Sequence, residues 1–214
     1  MSVGPSTSRE FARKLMQINA IRLQPQTPFT WASGWKSPIY CDNRLTLSYP
    51  ELRAFIARNL KELALDFQIP FASVVGVATG GIAHGVLLAE QLNLPFAYVR
   101  SAPKSHGTGS QIEGHIPPGP VLVVEDLIST GKSSLEAVDA LRLAGHSVHH
   151  MLALFSYGFD TADVRFQASK VQVKTMSGYA DLIQVAEEEN GLSVTDMEEL
   201  RAWRKQPETW NQHA

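Results

Sequence analysis

The sequence predicts an α/β fold in which a mainly parallel sheet is covered by helices on both faces. Short apolar runs that are typical of strands alternate with stretches of helical periodicity along most of the chain. These runs are apolar throughout, as expected for strands buried on both faces. The strand candidates lie at residues 74–78, 95–99, 121–124, 148–155 and 171–176. Ligands of such folds bind beyond the carboxyl ends of the strands, so the functional residues are expected there.

The remaining segments fit around this sheet. Apolar residues spaced for one helical face predict helices at 8–19, 51–67 and 131–144, and a further helix that ends near Leu92. Residues 25–44 are rich in proline and aromatic side chains, and two turn-forming pairs there predict short strands. The segment after residue 157 carries no motif and, apart from the strand candidate at 171–176, is expected to pack as helices on the sheet.

Composition limits the class of protein. A chain of 214 residues with 44% hydrophobic residues can form one domain with a sizeable core. Cys41 is the only cysteine, so an intrachain disulfide is excluded and a cytoplasmic location is expected. No apolar run is long enough for a membrane span, and a net charge of −2 argues against nucleic-acid binding.

The strongest chemical signal is the run VVEDLISTGKSS at residues 123–134. Small hydroxylated residues and a glycine open the predicted helix here: Ser129, Thr130, Gly131 and Ser133. A helix N-terminus offers free N–H groups and the positive end of a dipole, which suit a phosphate. Glu125 and Asp126 are expected to end the preceding strand, where they suit sugar hydroxyls or a hydrated magnesium ion. Ribose 5-phosphate satisfies both demands.

A simpler interpretation of this run stays open at this point. Ser129 or Thr130 could cap the helix, with the two acids as solvated residues at the end of a strand. A Walker loop is excluded, because Asp126 stands where its first glycine would be. A dinucleotide-binding fingerprint is also absent.

The run resembles the signature of the type I phosphoribosyltransferases: two acids, two variable residues, a hydroxylated pair, a glycine and a further hydroxylated residue. The resemblance implies that the following residues hold the ribose 5-phosphate part of phosphoribosyl diphosphate: Glu125, Asp126, Leu127, Ile128, Ser129, Thr130, Gly131, Lys132 and Ser133. It also implies Mg²⁺ as cofactor, with both acids facing the ribose hydroxyls. Lys132 stands where a small residue is common, and its side chain either contacts phosphate or points into water.

A second polar segment lies between the strands at 95–99 and 121–124. Residues 100–114 contain three candidate cations, Arg100, Lys104 and His106, each of which suits a diphosphate. Taken alone, the segment could be an ordinary surface hairpin. Its spacing resembles the flexible loop of orotate phosphoribosyltransferases, which reaches over the active site of the neighbouring subunit. The resemblance therefore implies a homodimer in which Arg100, Lys104 and His106 bind the partner's substrate, with Lys104 as the catalytic residue.

Residues 29–44, called the hood segment below, resemble the part of the same family that covers the base. The resemblance implies a single domain over residues 1–214, with about the first 45 residues forming a hood. Ala32 replaces a lysine that touches substrate in many members, so Lys36 or Arg44 is considered as a substitute. Arg44 could equally pair with Asp42. Residues 78–81 resemble the diphosphate-binding turn, although Gly80 replaces a lysine found there in some members.

The expected activity is transfer of the phosphoribosyl group to orotate, with Ser129 nearest the orotate by resemblance. One alternative is a phosphoribosyltransferase for a purine or for uracil, and another is a non-catalytic sensor of phosphoribosyl diphosphate. Neither alternative explains the cation spacing together with the hood segment. The other histidines show no metal-binding spacing and are interpreted as ordinary structural residues: His84, His115, His146, His149 and His150.

Overall fold

The structure is a computed structural model that describes residues 3–31, 33–101, 111–189 and 192–211. Its centre is a six-stranded sheet in the order β10-β9-β8-β5-β6-β7. The strands are β5 (Ser73–Val77), β6 (Phe96–Val99), β7 (Ile112–Glu113), β8 (Pro120–Ile128), β9 (Ser147–Ser156) and β10 (Gln172–Gly178). All neighbours are parallel except β6 and β7. The predicted α/β class with a mainly parallel sheet is therefore confirmed.

Helices cover both faces of this sheet. They are α1 (Pro5–Gln17), α2 (Pro50–Leu65), α3 (Gly80–Leu92), α4 (Lys132–Leu143), α5 (Asp160–Ala168), α6 (Tyr179–Glu188) and α7 (Val194–Lys205). The segment without a motif after residue 157 contains α5 to α7 and the edge strand β10. Within the described ranges, no helix has both the length and the apolar character that crossing a membrane requires.

The alternation of side chains along β8 divides the core in two. Leu122 and Val124 belong to a cluster that includes residues of α1, α2, α3, α6 and α7. Val121 and Val123 point to the other face, into a cluster shared with α4 and α5. Both sets of β8 side chains are fully buried. A strand buried on both faces must be apolar throughout, which is why period-two alternation is missing from its sequence.

Three short strands precede the sheet in the hood segment, and a fourth, which lies before the segment, pairs with the last of them. They are β2 (Phe29–Thr30), β3 (Lys36–Ser37) and β4 (Ile39–Cys41), while β1 (Ile21–Leu23) pairs antiparallel with β4. A 3₁₀ helix, Asn43–Ser48, then leads into α2. The pattern predicted short strands here, but β1, β7 and the 3₁₀ helix were not foreseen. β1 and β7, with three and two residues, are too short to show a periodicity.

One boundary differs in a way that matters for the site. The acids Glu125 and Asp126 were expected to end a strand, but β8 continues to Ile128. Its pairing with β5 stops at Val124, whereas its pairing with β9 runs on to Ile128. The two acids therefore lie within β8, at the point where its pairing with β5 has ended and an opening begins beside the strand.

Candidate active site

Two helix N-termini meet at this opening. Helix α3 begins at Gly80, directly after β5, and helix α4 begins at Lys132, shortly after β8. Because β5 and β8 are parallel neighbours, both helix ends lie at the carboxyl edge of the sheet. Each presents first-turn N–H groups that have no intrahelical acceptor, together with the positive end of a helix dipole. The arrangement suits a ligand with two separate anionic groups.

The N-terminus of α4 is open. Gly131 holds its N-cap position with φ +73°, and no side chain caps the helix. The structure therefore does not support the interpretation in which Ser129 or Thr130 caps this helix. A Cβ at Gly131 would lie 2.9 Å from the ring of Phe166, so glycine is needed for space as well as for its backbone conformation.

Three hydroxyl groups lie at the start of α4. Those of Ser129, Thr130 and Ser133 have no hydrogen-bond partner within the described part of the chain. They remain available to a phosphate group. The Lys132 side chain is 76% exposed and lies 3.9 Å from Glu136, so it points into solvent.

The two acids differ in accessibility. Glu125 is 5% exposed, and its carboxylate accepts hydrogen bonds from the Ser134 hydroxyl at 2.9 Å and from the Asp126 N–H at 3.0 Å. Burial, followed by the nearby negative charge of Asp126, raises the pKa of Glu125 well above its usual value. Asp126 is half-buried. Glu125 is therefore the buried acid of the pair, and Asp126 is the more accessible one.

Gly80, the first residue of α3, lies in close contact with Asp126 of β8. A Cβ at this position would lie 2.0 Å from the Asp126 carboxylate, and a Cβ at Gly81 would lie 2.4 Å from the carbonyl oxygen of Val124. The preceding peptide bond, between Ala78 and Thr79, is cis. No side chain fits at Gly80 while Asp126 holds this position. Asp126 therefore lies directly against the N-terminus of α3.

A polar cluster that was not foreseen lies below Asp126. The Asn43 amide donates to the Asp126 carbonyl oxygen at 2.6 Å, and the Thr46 hydroxyl donates to the Asn43 carbonyl oxygen at 2.6 Å. His84 Nε2 lies 3.4 Å from the Thr46 hydroxyl, while no partner for Nδ1 is found among the described residues. All three side chains are buried. Burial lowers the pKa of His84 to about 4, so the ring is neutral at pH 7.

The predicted cation loop is described only at its base. The Arg100 N–H donates to Gln111 at 2.9 Å, and its guanidinium lies 3.7 Å from Glu113. Strands β6 and β7 make the base an antiparallel hairpin. Lys104 and His106 lie outside the described residues.

In the hood segment, Arg44 is bidentate to Asp42, with nitrogen–oxygen distances of 2.7 and 2.9 Å. This pairing lowers the pKa of Asp42. Of the two interpretations of Arg44, the structure therefore shows the pair with Asp42. Lys36 donates to the Thr30 hydroxyl at 3.0 Å, and Ala32 lies outside the described residues.

The donor set fits one kind of metal ion. No group of three or more metal-ligating side chains occurs among the residues that the structure describes. A protein cage for a metal is therefore not formed by this part of the chain. One accessible carboxylate, Asp126, fits a hydrated Mg²⁺ that takes most of its ligands from water and substrate phosphates.

Cavity volume alone does not locate this site. A cavity of about 640 Å³ lies between α5 and β10, and it shares only Ile128 with the predicted phosphate loop. Its polar lining offers no concentration of cations. The open helix N-termini and the Asp126 carboxylate are more specific signs of a phosphate-sugar ligand than the volume of a cleft.

Comparison with known proteins agrees with a site for a phosphate-sugar ligand. The family model described as the phosphoribosyl transferase domain matches residues 47–182. An orotate phosphoribosyltransferase of Bacteroides fragilis is 51% identical over 203 residues, which cover 94% of this chain and 96% of that protein.

Two solved structures are similar. The orotate phosphoribosyltransferase of Aeropyrum pernix has a TM-score of 0.74 at 30% identity, covering 86% of this chain and 99% of that chain. The Mycobacterium tuberculosis orotate phosphoribosyltransferase in complex with 5-phospho-alpha-D-ribosyl 1-diphosphate has a TM-score of 0.62 at 26% identity, covering 82% and 98%. On this evidence the chain has the type I phosphoribosyltransferase fold and belongs to the orotate phosphoribosyltransferase family.

Proposed function

We propose that the chain transfers the 5-phosphoribosyl group of phosphoribosyl diphosphate to orotate, giving orotidine 5′-monophosphate and diphosphate in pyrimidine biosynthesis. The observation that carries the proposal is the position of Asp126 between two open helix N-termini. The family to which the chain belongs supports orotate as the acceptor. No other acceptor is favoured by a feature of the site.

The loop at the start of α4 is proposed to bind the 5-phosphate. Backbone N–H groups of residues 129–133 and the three unengaged hydroxyls supply neutral donors at the positive end of the helix dipole. Asp126 accepts hydrogen bonds from the ribose hydroxyls. Glu125 is buried next to Asp126. Its hydrogen bond from the Ser134 hydroxyl connects β8 to α4.

The turn at the start of α3 is proposed to bind the diphosphate. Mg²⁺, when bound, would neutralise diphosphate charge, and Asp126 would hold it. Arg100, Lys104 and His106 supply the remaining positive charge from the loop of the partner subunit in a homodimer. These cations matter most as the bond breaks, because negative charge then grows on the leaving group.

In the reaction a bond forms between orotate N1 and ribose C1 while the bond from C1 to the diphosphate oxygen breaks. The electron pair of the broken bond leaves with the diphosphate. Since orotate N1 is readily ionised, positioning contributes more than a dedicated base, and Ser129 is proposed as the loop residue nearest the orotate. Closure of the cation loop would exclude water from the developing sugar cation.

We also propose a single domain over residues 1–214, with about the first 45 residues forming the hood. A cytoplasmic location fits the free thiol of Cys41.

The test is turnover of orotate, followed by its ultraviolet absorbance, with phosphoribosyl diphosphate and Mg²⁺ present. A panel of adenine, guanine, hypoxanthine and uracil under the same conditions provides the matched comparison. Consumption of orotate alone supports the proposal. Preference for another base would assign a different acceptor, and binding of phosphoribosyl diphosphate without turnover of any base would indicate a sensor.

A further inference from the structure

Five aromatic rings join the hood segment to the C-terminal helix. They belong to Trp31, Tyr157, Phe159, Tyr179 and Trp203. Trp203 is the hub, because its ring contacts the four others at centroid distances of 5.4–5.8 Å. Edge-on and tilted contacts of this kind stabilise beyond the burial of area.

Among the described residues, Trp203 is the largest of the fully buried side chains. Its indole N–H has no acceptor within the described residues, although an indole N–H usually finds a partner when buried. The N–H therefore does not explain why tryptophan occupies this position. The ring contacts remain as the explanation.

The contact between Trp31 and Trp203 joins two parts of the chain that lie outside the shared domain. The phosphoribosyl transferase domain matches residues 47–182, so Trp31 precedes it and Trp203 follows it. Residues that serve phosphoribosyl diphosphate lie inside the match, at 78–81 and 125–133. The paired outer segments are therefore candidates for what distinguishes this chain within that wider family.

The hood segment lies over the carboxyl edge of the sheet. Trp31 packs on Tyr157 at 5.0 Å, and Tyr157 directly follows the end of β9. Asn43, at the other end of the segment, donates to the Asp126 carbonyl oxygen. The segment thus spans the ends of β8 and β9, where the acceptor must approach the ribose.

Helix α7 is itself firmly attached. Ser193 and Asp196 form a capping box at its start, and the Tyr179 hydroxyl donates to the Leu200 carbonyl oxygen at 2.8 Å. Near its end, the Arg204 guanidinium donates to the Gly158 carbonyl oxygen, next to Tyr157. Trp203 is therefore a fixed support against which Trp31 packs.

We propose that Trp203 is a positioning residue that holds the hood segment in the position required to bind the acceptor base. The inference rests on the proposed function. Trp203 acts through Trp31 and does not touch substrate. Its loss should therefore weaken acceptor binding and leave the site of phosphoribosyl diphosphate intact.

The test compares Trp203→Leu with Trp203→Phe and with Leu200→Ala. Leu200 is buried on the same helix three residues earlier, so its truncation loosens α7 without removing the ring. Trp203→Leu is expected to raise the KM for orotate about three- to tenfold, the factor that corresponds to losing one or two aromatic contacts. The KM for phosphoribosyl diphosphate should change less than about twofold. Trp203→Phe should recover most of the difference, and Leu200→Ala should lower Tm without separating the two KM values.

Hydrogen exchange on the substrate-free protein measures how firmly Trp203 anchors the hood segment, and it does so independently of activity. In Trp203→Leu, exchange should accelerate in the hood segment, residues 29–44, more than at β8, whereas Leu200→Ala should show no such preference. Equal rises of both KM values, or unchanged exchange in the hood segment, would overturn the inference. A wild-type protein that does not turn over orotate would contradict the proposed function, and the exchange result would still decide the anchoring. If Trp203→Leu does not fold, the same two measurements on Trp203→Phe, with smaller expected changes, decide the question.

Discussion

The two helix N-termini that meet at Asp126 are built in opposite ways. Three hydroxyls at the start of helix α4 have no hydrogen-bond partner among the described residues: those of Ser129 and Thr130 before the helix and that of Ser133 in its first turn. Helix α3 opens with Gly80 and Gly81, where close contacts with β8 leave no room for any side chain. The α4 end therefore has side-chain hydrogen-bond donors. The α3 end has no side chain at its first two residues, so its backbone packs close to β8.

This difference separates the two ends chemically. The α4 end can satisfy a monophosphate with its own donors. The α3 end offers backbone groups and one neighbouring hydroxyl, Thr79, so a diphosphate bound there needs positive charge from elsewhere. Such charge is expected from the loop that carries Lys104, from Arg100 at its base and from Mg²⁺.

The largest expected effect comes from removing the positive charge that Lys104 is proposed to supply to the diphosphate. Lys104→Ala should lower kcat by about 10²- to 10³-fold, the usual cost of losing one group that stabilises a developing anion. Tm should stay unchanged, because the proposed role of Lys104 is in the reaction and not in folding. The matched control is Lys132→Ala at the α4 end, where the exposed side chain predicts a change below about twofold. Near-normal turnover of Lys104→Ala would remove Lys104 from the mechanism.

The second effect concerns the interior of α3. His84 has a pKa lowered from 6.5 to about 4 by burial, so the unfolded chain binds a proton more readily than the folded one. Its contribution is therefore fully present above pH 6.5 and is lost as the pH falls from 6.5 towards 4. The difference corresponds to about 3 kcal/mol.

Denaturant titrations between pH 7 and pH 4 measure this contribution. His84→Gln should show a shallower loss of unfolding free energy over that range than the wild type. His149→Gln, which removes an exposed histidine, should follow the wild-type curve. Parallel curves for His84→Gln and the wild type would show that His84 is not the residue responsible.

A third change fills the space at the start of α3. Gly80→Ala places a methyl group where the Asp126 carboxylate lies, so the carboxylate or the helix must move. Overpacking of this kind costs about 1–3 kcal/mol of stability. The KM for phosphoribosyl diphosphate should rise together with the loss of Tm. Gly4→Ala, where a Cβ meets nothing within 4 Å, alters only the N-cap of α1 and should cost less than about 1 kcal/mol without changing this KM.

How far sequence predicts this site depends on how its parts are distributed along the chain. The residues of the 125–133 run are adjacent, so their combined chemistry is visible without a structure. The accessibility of Glu125 and Asp126 was not visible, because it depends on where β5 ends beside β8. Nor could the sequence show that Gly80 lies against Asp126, since the two are distant in the chain.

The polar cluster below Asp126 shows the same limit more strongly. Asn43, Thr46 and His84 come from two elements, and each alone is an unremarkable polar residue. A buried histidine within an apolar helix was the one available signal, and it was interpreted as structural. The contact between Trp31 and Trp203 was likewise invisible, because it joins the two ends of the chain.

The smallest expected effects distinguish the two hood cations. Arg44 is bound to Asp42 and its side chain is 59% exposed, so Arg44→Ala should change the KM for orotate by less than about twofold. Lys36 contacts only a neutral hydroxyl among the described residues, and Lys36→Ala should raise this KM by about two- to fivefold. Asp42→Asn serves as the control, since it breaks the same pair and should behave like Arg44→Ala. A larger effect from Arg44 than from Lys36 would mean that the guanidinium exchanges its carboxylate partner for the substrate, and that Arg44 supplies the charge missing at Ala32.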